Sequence, residues 1–277
     1  MFNIKGHSGC DLTIFVEGGK SFVKKMSASP DYDKRLLAQS KKQELFYKKL
    51  CDKSELVVPS ILETGSNFFS MDFFHGKDPV TFFMASSDVD VDAFFDHVTD
   101  FIDYEIGQCQ VQPFNKEIFL KKFYDVRERA GSSSINFNLI EARFQQLPVH
   151  DLPIGTCHGD LTFSNLIIGR NNRICIIDFL DTFYESPIQD MVKIRQDTLY
   201  NWTPMVYNKN YDPVRYSIIM KYLDDKFDSF FKKHDFYVAY YHPFQVMNYL
   251  RILPYVRTDK IRASVATSLE EMIERWT

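Results

Sequence analysis

The sequence has no excess of basic charge: 33 Lys and Arg stand against 37 Asp and Glu, a formal charge of −4. This argues against nucleic acid as the main partner, because a phosphate backbone calls for a basic face. Paired cysteines are also missing. The five present, Cys10, Cys51, Cys109, Cys157 and Cys175, are odd in number and lack CxxC spacing. They fit a reduced, cytoplasmic protein better than a disulfide framework. No apolar run approaches the length of a membrane span, and Met1-Phe2-Asn3-Ile4-Lys5-Gly6-His7 has no apolar signal core, so no membrane partner is expected. The seven histidines show no HExxH or paired spacing, which leaves a zinc site without support. Neither a full G-x-G-x-x-G nor a Walker A lysine motif occurs.

What is present is a chain of 277 residues, 45% hydrophobic and 25% charged, long enough for one large domain or two lobes with a real core. Phe (26) and Tyr (15) are abundant. They serve either aromatic cores or a pocket that stacks on a ring or a cation.

The informative stretch runs from Cys157 to Asp178. It holds His158-Gly159-Asp160, then Asn165 five residues past the aspartate, then the apolar run Ile174 to Ile177 ending on Asp178. A base, a metal-binding amide and a metal-binding carboxylate at these offsets are the working parts of a kinase-type phosphoryl-transfer site. Two short apolar strands, Leu166-Ile167-Ile168 and Ile174-Cys175-Ile176-Ile177, flank a turn at Asn171-Asn172. That hairpin would deliver Asn165 at one end and Asp178 at the other, so both can serve one metal. Adjacent strand residues point to opposite faces, which disfavours a Cys157–His158 dyad. His158 reads as a buried support for the loop.

Upstream, Leu12 to Val16 and Ser21 to Met26 read as strands joined by a tight turn at Gly18-Gly19. Lys5 to Cys10 ahead of them is either an ordinary turn or a phosphate-covering loop through Ser8 and Gly9. Strand alternation separates Lys24 from Lys25 and puts Lys25 beside Val23. Lys25 is the preferred phosphate lysine, since Val suits an adenine face better than Phe22. Asp33 to Leu50 has helical spacing, and Glu44 is its one acid after Asp33, the expected partner of the lysine. Asn67 to Phe74 reads as a strand entering a hinge, with Gly76 and Pro79 as punctuation. Met71 would flank the adenine, and the backbones of Asp72 and Phe74 would bond its edge. This hinge, near 71–76, divides a nucleotide-binding lobe, 1–76, from a catalytic and substrate lobe, 77–277. From about 80 to 150 the pattern is helical, as it is from Pro187 and again from about 213 to 276. Asp190 is either a capping acid or an internal prop for the catalytic loop.

At His158-Gly159-Asp160 with Asn165 and Asp178, the sequence resembles the aminoglycoside phosphotransferase and choline kinase superfamily. Looser support comes from Ser8-Gly9, Lys25-Met26, Glu44, Met71 before Gly76, and Ser186-Pro187 before Asp190, in the family's order. The resemblance implies an α+β, bilobal protein-kinase-like fold, with a small β-rich N-lobe holding one main helix and a larger, mostly helical C-lobe. It implies ATP as co-substrate and one or two Mg²⁺ held by Asn165 and Asp178. Asp160 would take the proton of a small-molecule hydroxyl, and Lys25 would neutralise phosphates. The sequence departs from a protein kinase at Leu180, where a glycine would follow Asp-Phe, and it has no Ala-Pro-Glu segment.

The acceptor is open among a sugar, an amino sugar and an amino alcohol such as choline. Candidate contacts are Arg195, Asp197 and Trp202, or the aromatic group Tyr237, Tyr240, Tyr241 and Tyr249 with Arg251. A nucleotide-binding regulatory module without transfer is the alternative, disfavoured by the intact Asp160, Asn165 and Asp178.

Overall fold

The computed structural model describes residues 2–5, 10–130, 135–207, 210–256 and 258–276. They divide into two compact units, one made of residues 1–97 and 163–181, the other of 98–162 and 182–277.

The first unit is built on a five-stranded antiparallel sheet in the order β1 (Phe2–Lys5), β2 (Cys10–Glu17), β3 (Lys20–Ser27), β6 (Phe68–Asp72), β5 (Ile61–Thr64). Gly18 and Gly19 both take positive φ, 57° and 79°, as a two-residue turn matched to strand twist requires. The expected β2–β3 hairpin is therefore present in register, with Glu17 opposite Lys20. Helix α1 (Pro30–Leu50) follows, with proline in its first turn, Asp31 and Asp33 at its start and Lys48 and Lys49 at its end. These are the residues that a helix start and the macrodipole favour. Its Leu36 packs with Cys10, Phe69 and Met71 in a small core under the sheet.

A second sheet in this unit has the order β4 (Leu56–Val57), β10 (Ile174–Ile176), β9 (Leu166–Ile168). The β9–β10 pair is the expected hairpin, with Ile174 opposite Ile168 and Ile176 opposite Leu166. Asn171 and Asn172 turn it, both at φ 56°, a conformation that asparagine tolerates better than most residues. Helix α2 (Pro79–Ala85) and the start of α3 (Asp88–Gly107) lie beneath it. There the Phe83, Phe94 and Phe163 rings meet with centroids 5.0–5.8 Å apart, the edge and tilted arrangements aromatic rings prefer.

The second unit is mainly helical: α4 (Lys116–Ala130), α5 (Phe137–Gln145), α6 (Ile188–Tyr200), α7 (Trp202–Tyr207), α8 (Pro213–Phe231), α9 (Asp235–Ile252) and α10 (Asp259–Arg275). The helical expectation for 80–150 omitted a short ribbon, β7 (Gln110–Pro113) paired with β8 (Asp151–Ile154). β7 is exposed along its whole length, so it has no alternation for a sequence reading to find. α6 packs against α8 and α9, and α9 against α10 and α4. No helix among the described residues is long and apolar enough to cross a membrane.

Candidate active site

In the first unit Lys25 is the centre of the polar structure. It is 2% exposed, and its Nζ lies 2.8 Å from Asp178 Oδ1 and 3.0 Å from Gln39 Oε1. Burial opposes its charge, but the Asp178 carboxylate prevails and holds the lysine above its ordinary pKa. Lys24 lies elsewhere, 3.5 Å over the Phe68 ring centroid, so strand alternation separates the two lysines and only Lys25 meets Asp178. The expected partner does not meet it. Glu44 is half exposed and pairs with Lys48 at 2.7 Å, while Gln39, whose Nε2 donates to Tyr32 Oη, takes the place beside the lysine. Five residues of helix separate the two by about 140° of rotation, and only Gln39 lies on the buried face of α1.

Asp178 stands two residues past the end of β10, in the left-handed region at φ 63°, a conformation rarely held by a residue with a side chain unless its surroundings impose it. The Ile177 N–H donates to Asn165 O at 3.0 Å, so the hairpin brings the backbones of Asn165 and Asp178 to one end. Asn165 is 9% exposed and the Asp178 side chain 34%. The segment after Asp178 is fastened to α1. Phe179 stacks on Phe46 with centroids 4.8 Å apart, and Lys42 donates to Leu180 O at 2.6 Å. A carboxylate beside a buried ammonium, with an asparagine at the same end of the hairpin, supplies the residue types that take a hard cation and phosphate oxygens.

The nucleotide-edge residues divide. Met71 is turned into the core with Leu36, and Gln43 Nε2 lies 3.3 Å from its Sδ, so its side chain packs the sheet instead of lining an adenine face. The Asp72 N–H already donates to Ser60 O at 3.2 Å, which removes it as an edge donor. The Phe74 N–H has no backbone partner among the described residues. Ser8 and Gly9 lie outside the described residues.

In the second unit the loop carrying Asp160 is held by buried acids. Gly159 sits at φ 87°, a backbone state open to glycine at no steric cost. Asp190, fully buried at the start of α6, accepts from the Gly159 N–H at 2.9 Å and the Leu161 N–H at 3.0 Å. It is the internal prop, not merely a capping acid. Glu105 Oε1 accepts the His158 N–H at 2.6 Å, and His158 Nδ1 accepts the Asp160 N–H at 3.1 Å. His158, with no exposed surface, thus supports the loop as expected. The Asp160 carboxylate lies 2.9 Å from Lys193 Nζ. Sequence reading missed Lys193 and Glu105. Lys193 was within reach of it, because Lys193 and Asp190 are three residues apart and share a face of one helix.

Exchange of Asp190 for asparagine is expected to cost about 1–3 kcal/mol, since one of the loop N–H groups then faces an amide NH₂. Chemical denaturation reads this directly. An unchanged midpoint would show that the loop does not depend on Asp190.

The expected substrate residues on α6 belong to the interior. Arg195, 7% exposed, donates to Asp224 at 3.0 and 2.9 Å, to Asp228, and to Tyr237 Oη at 2.9 Å. Asp197 has no exposed surface and accepts the Thr203 N–H at 2.7 Å. Only Trp202, at the start of α7, keeps partial exposure. Helix α6 is covered by α8 and α9, so Arg195 and Asp197 find their partners within the unit. Tyr237, Tyr240, Tyr241 and Tyr249 are likewise buried, in a core and not around an open pocket.

Residues 116–212, which include this loop, the hairpin and α6, match the model of the phosphotransferase enzyme family. No match was found among curated proteins. Similar solved structures include choline kinase LicA from Streptococcus pneumoniae, 11% identical over 99% of this chain and 92% of that one, with a TM-score of 0.59. A thermostable mutant of aminoglycoside phosphotransferase APH(4)-Ia, in ternary complex with AMP-PNP and hygromycin B, is 11% identical over 99% and 92%, with a TM-score of 0.60. The gentamicin complex of APH(2")-IIa is 17% identical over 95% and 88%, with a TM-score of 0.52. The α+β, protein-kinase-like arrangement expected from the sequence, a small β-rich N-terminal part and a helical C-terminal part, is thus the fold these structures share. The match to the phosphotransferase family is thus confined to residues 116–212, and the chain as a whole has the fold seen in aminoglycoside phosphotransferase APH(4)-Ia and choline kinase LicA.

Proposed function

We propose that the chain is an ATP- and Mg²⁺-dependent phosphotransferase that moves the γ-phosphate to a hydroxyl of a small molecule. The observation that carries this reading is the 2.8 Å ion pair of buried Lys25 with Asp178, at the end of the hairpin where Asn165 also stands. A buried lysine held beside a carboxylate is matched to phosphate oxygens and their counter-cation. In this reading residues 1–76, hinged near 71–76, bind the nucleotide, with the Phe74 N–H on the adenine edge. Residues 77–277 carry catalysis and the acceptor.

Asn165 and Asp178 would hold Mg²⁺, whose chemistry is to neutralise charge on the phosphate oxygens. Lys25 binds the α- and β-phosphates. Asp160 orients the acceptor hydroxyl and accepts its proton as the new oxygen–phosphorus bond forms and the bond from the γ-phosphorus to the β-bridging oxygen breaks, leaving ADP. Asp190, Glu105 and His158 fix the loop so that Asp160 needs little reorganisation, which is how positioning contributes to such a reaction.

The test is nucleotide binding followed by turnover. Mg²⁺ with AMP-PNP should raise the melting temperature of the full chain, and ATP should be converted to ADP faster when a suitable alcohol is added. Lys25→Met should weaken AMP-PNP binding by about tenfold or more, by removing a charge-assisted contact. Unaltered affinity in that variant, or no stabilisation of the native chain by the nucleotide, would refute the reading.

A further inference from the structure

We propose that the acceptor is an uncharged or acidic polyol, and that Lys193 is the residue that selects it. The inference rests on the phosphotransferase reading, in which Asp160 faces the acceptor hydroxyl.

Its basis is the ion pair between Lys193 Nζ and Asp160 Oδ1, 2.9 Å apart, with side chains 12% and 27% exposed. The pair is more open to solvent at the carboxylate than at the lysine, whose side chain rises from α6. An ammonium has three donors, so one on Asp160 leaves two for an acceptor. A neighbouring hydroxyl or carboxylate would accept them, whereas an acceptor ammonium would meet like charge in a partly desolvated place.

The same unit offers a cationic acceptor little in return. Recognition of an amine needs free carboxylates, and recognition of a quaternary ammonium needs an open aromatic cage. Here Asp190, Glu105 and Asp197 are directed onto backbone N–H groups at 2.6–3.0 Å. The Tyr241 ring is 8% exposed, and the protein's own Arg195 guanidinium lies 4.9 Å from its centroid. The Tyr241 ring therefore already faces a cation of the protein itself.

Lys193 also acts as a positioning residue for Asp160. It comes from the same helix turn as Asp190, so α6 fixes both the loop backbone, through Asp190, and the carboxylate, through Lys193. A Lys193 variant should therefore alter which acceptor is used as well as how fast, a change that a merely structural residue would not produce.

The experiment uses the full chain with Mg²⁺ and ATP, following ADP release without acceptor and with matched pairs at equal concentration. Glucose is set against glucosamine, glycerol against ethanolamine, and glycerate against choline. The uncharged or acidic member is expected to stimulate ADP release about tenfold more than its cationic counterpart. Lys193→Met should collapse that preference and raise the KM of the acidic acceptor, and Lys193→Arg should largely restore both. The proposal is overturned by a cationic member leading in the native chain. It also falls if no member stimulates, or if the preference is intact in a Lys193→Met protein that binds AMP-PNP normally. Failure of the native chain to bind AMP-PNP would instead refute the phosphotransferase reading beneath it.

Discussion

Replacing Asp160 with asparagine is expected to lower turnover by roughly 10²–10⁴-fold, the usual contribution of a general base, while AMP-PNP binding stays at its native level. The two halves of this expectation have separate structural grounds. The loop is held through its backbone: Asp190 takes the Gly159 and Leu161 N–H groups, Glu105 takes that of His158, and His158 Nδ1 takes that of Asp160 itself. None of these bonds uses the Asp160 carboxylate, so the nearly isosteric amide leaves them in place. What the amide cannot do is accept a proton, and it also gives up the ionic part of the contact with Lys193. The groups assigned to the nucleotide, Lys25, Asn165 and Asp178, are separate residues untouched by the exchange. Measured kcat for the best acceptor, with AMP-PNP affinity from titration calorimetry, tests both halves. Persistent turnover in the variant would remove Asp160 from the role of base.

The parts of this arrangement legible in the sequence were those written in local chemistry. Gly18-Gly19 and Asn171-Asn172 announce their turns because few residues accept a positive φ, and each turn fixes the register of its hairpin. From the second hairpin it follows that Asn165 and Asp178 end on one side, and the Ile177 to Asn165 hydrogen bond is that consequence. What sequence could not supply was rotation and cover. Glu44 carried the charge a lysine partner should have, but the turn of α1 presents Gln39 instead. Arg195 and Asp197 looked like pocket residues because they are charged and lie past the segment expected to hold the metal. Whether α6 is covered depends on α8 and α9, dozens of residues further on. The aromatic abundance had two readings, and packing decided for the core: Phe119, Phe144 and Phe123 meet edge-on at 4.9 and 5.3 Å.

Arg195→Met is expected to destabilise the protein by about 3–5 kcal/mol, or on the order of 10 °C in melting temperature, the usual result of removing one partner from a buried ion pair. The guanidinium grips Asp224 with two parallel bonds and also reaches Asp228 and Tyr237 Oη. Burial opposes its charge, but Tyr241, Tyr237 and Asp224 around it prevail, so it stays ionised. Methionine fills much of the same volume but leaves Asp224, 6% exposed, with Thr198 Oγ1, at 2.6 Å, as its one remaining side-chain donor among the described residues. The deficit is an uncompensated carboxylate, not a cavity, and this makes a specific forecast. Arg195→Met combined with Asp224→Asn should recover most of the loss, because the second exchange removes the stranded charge. A substrate-binding arginine would behave otherwise: the single exchange would raise the acceptor KM with little change in stability, and the second would rescue nothing. Denaturation midpoints for the two single variants and the double variant, with acceptor KM for each that folds, separate the cases. A single variant as stable as the native chain would return Arg195 to the acceptor site. The expected cycle makes it the pin that holds α6 to α8, and so keeps Lys193 and Asp190, two and five residues back along the same helix, at the Asp160 loop.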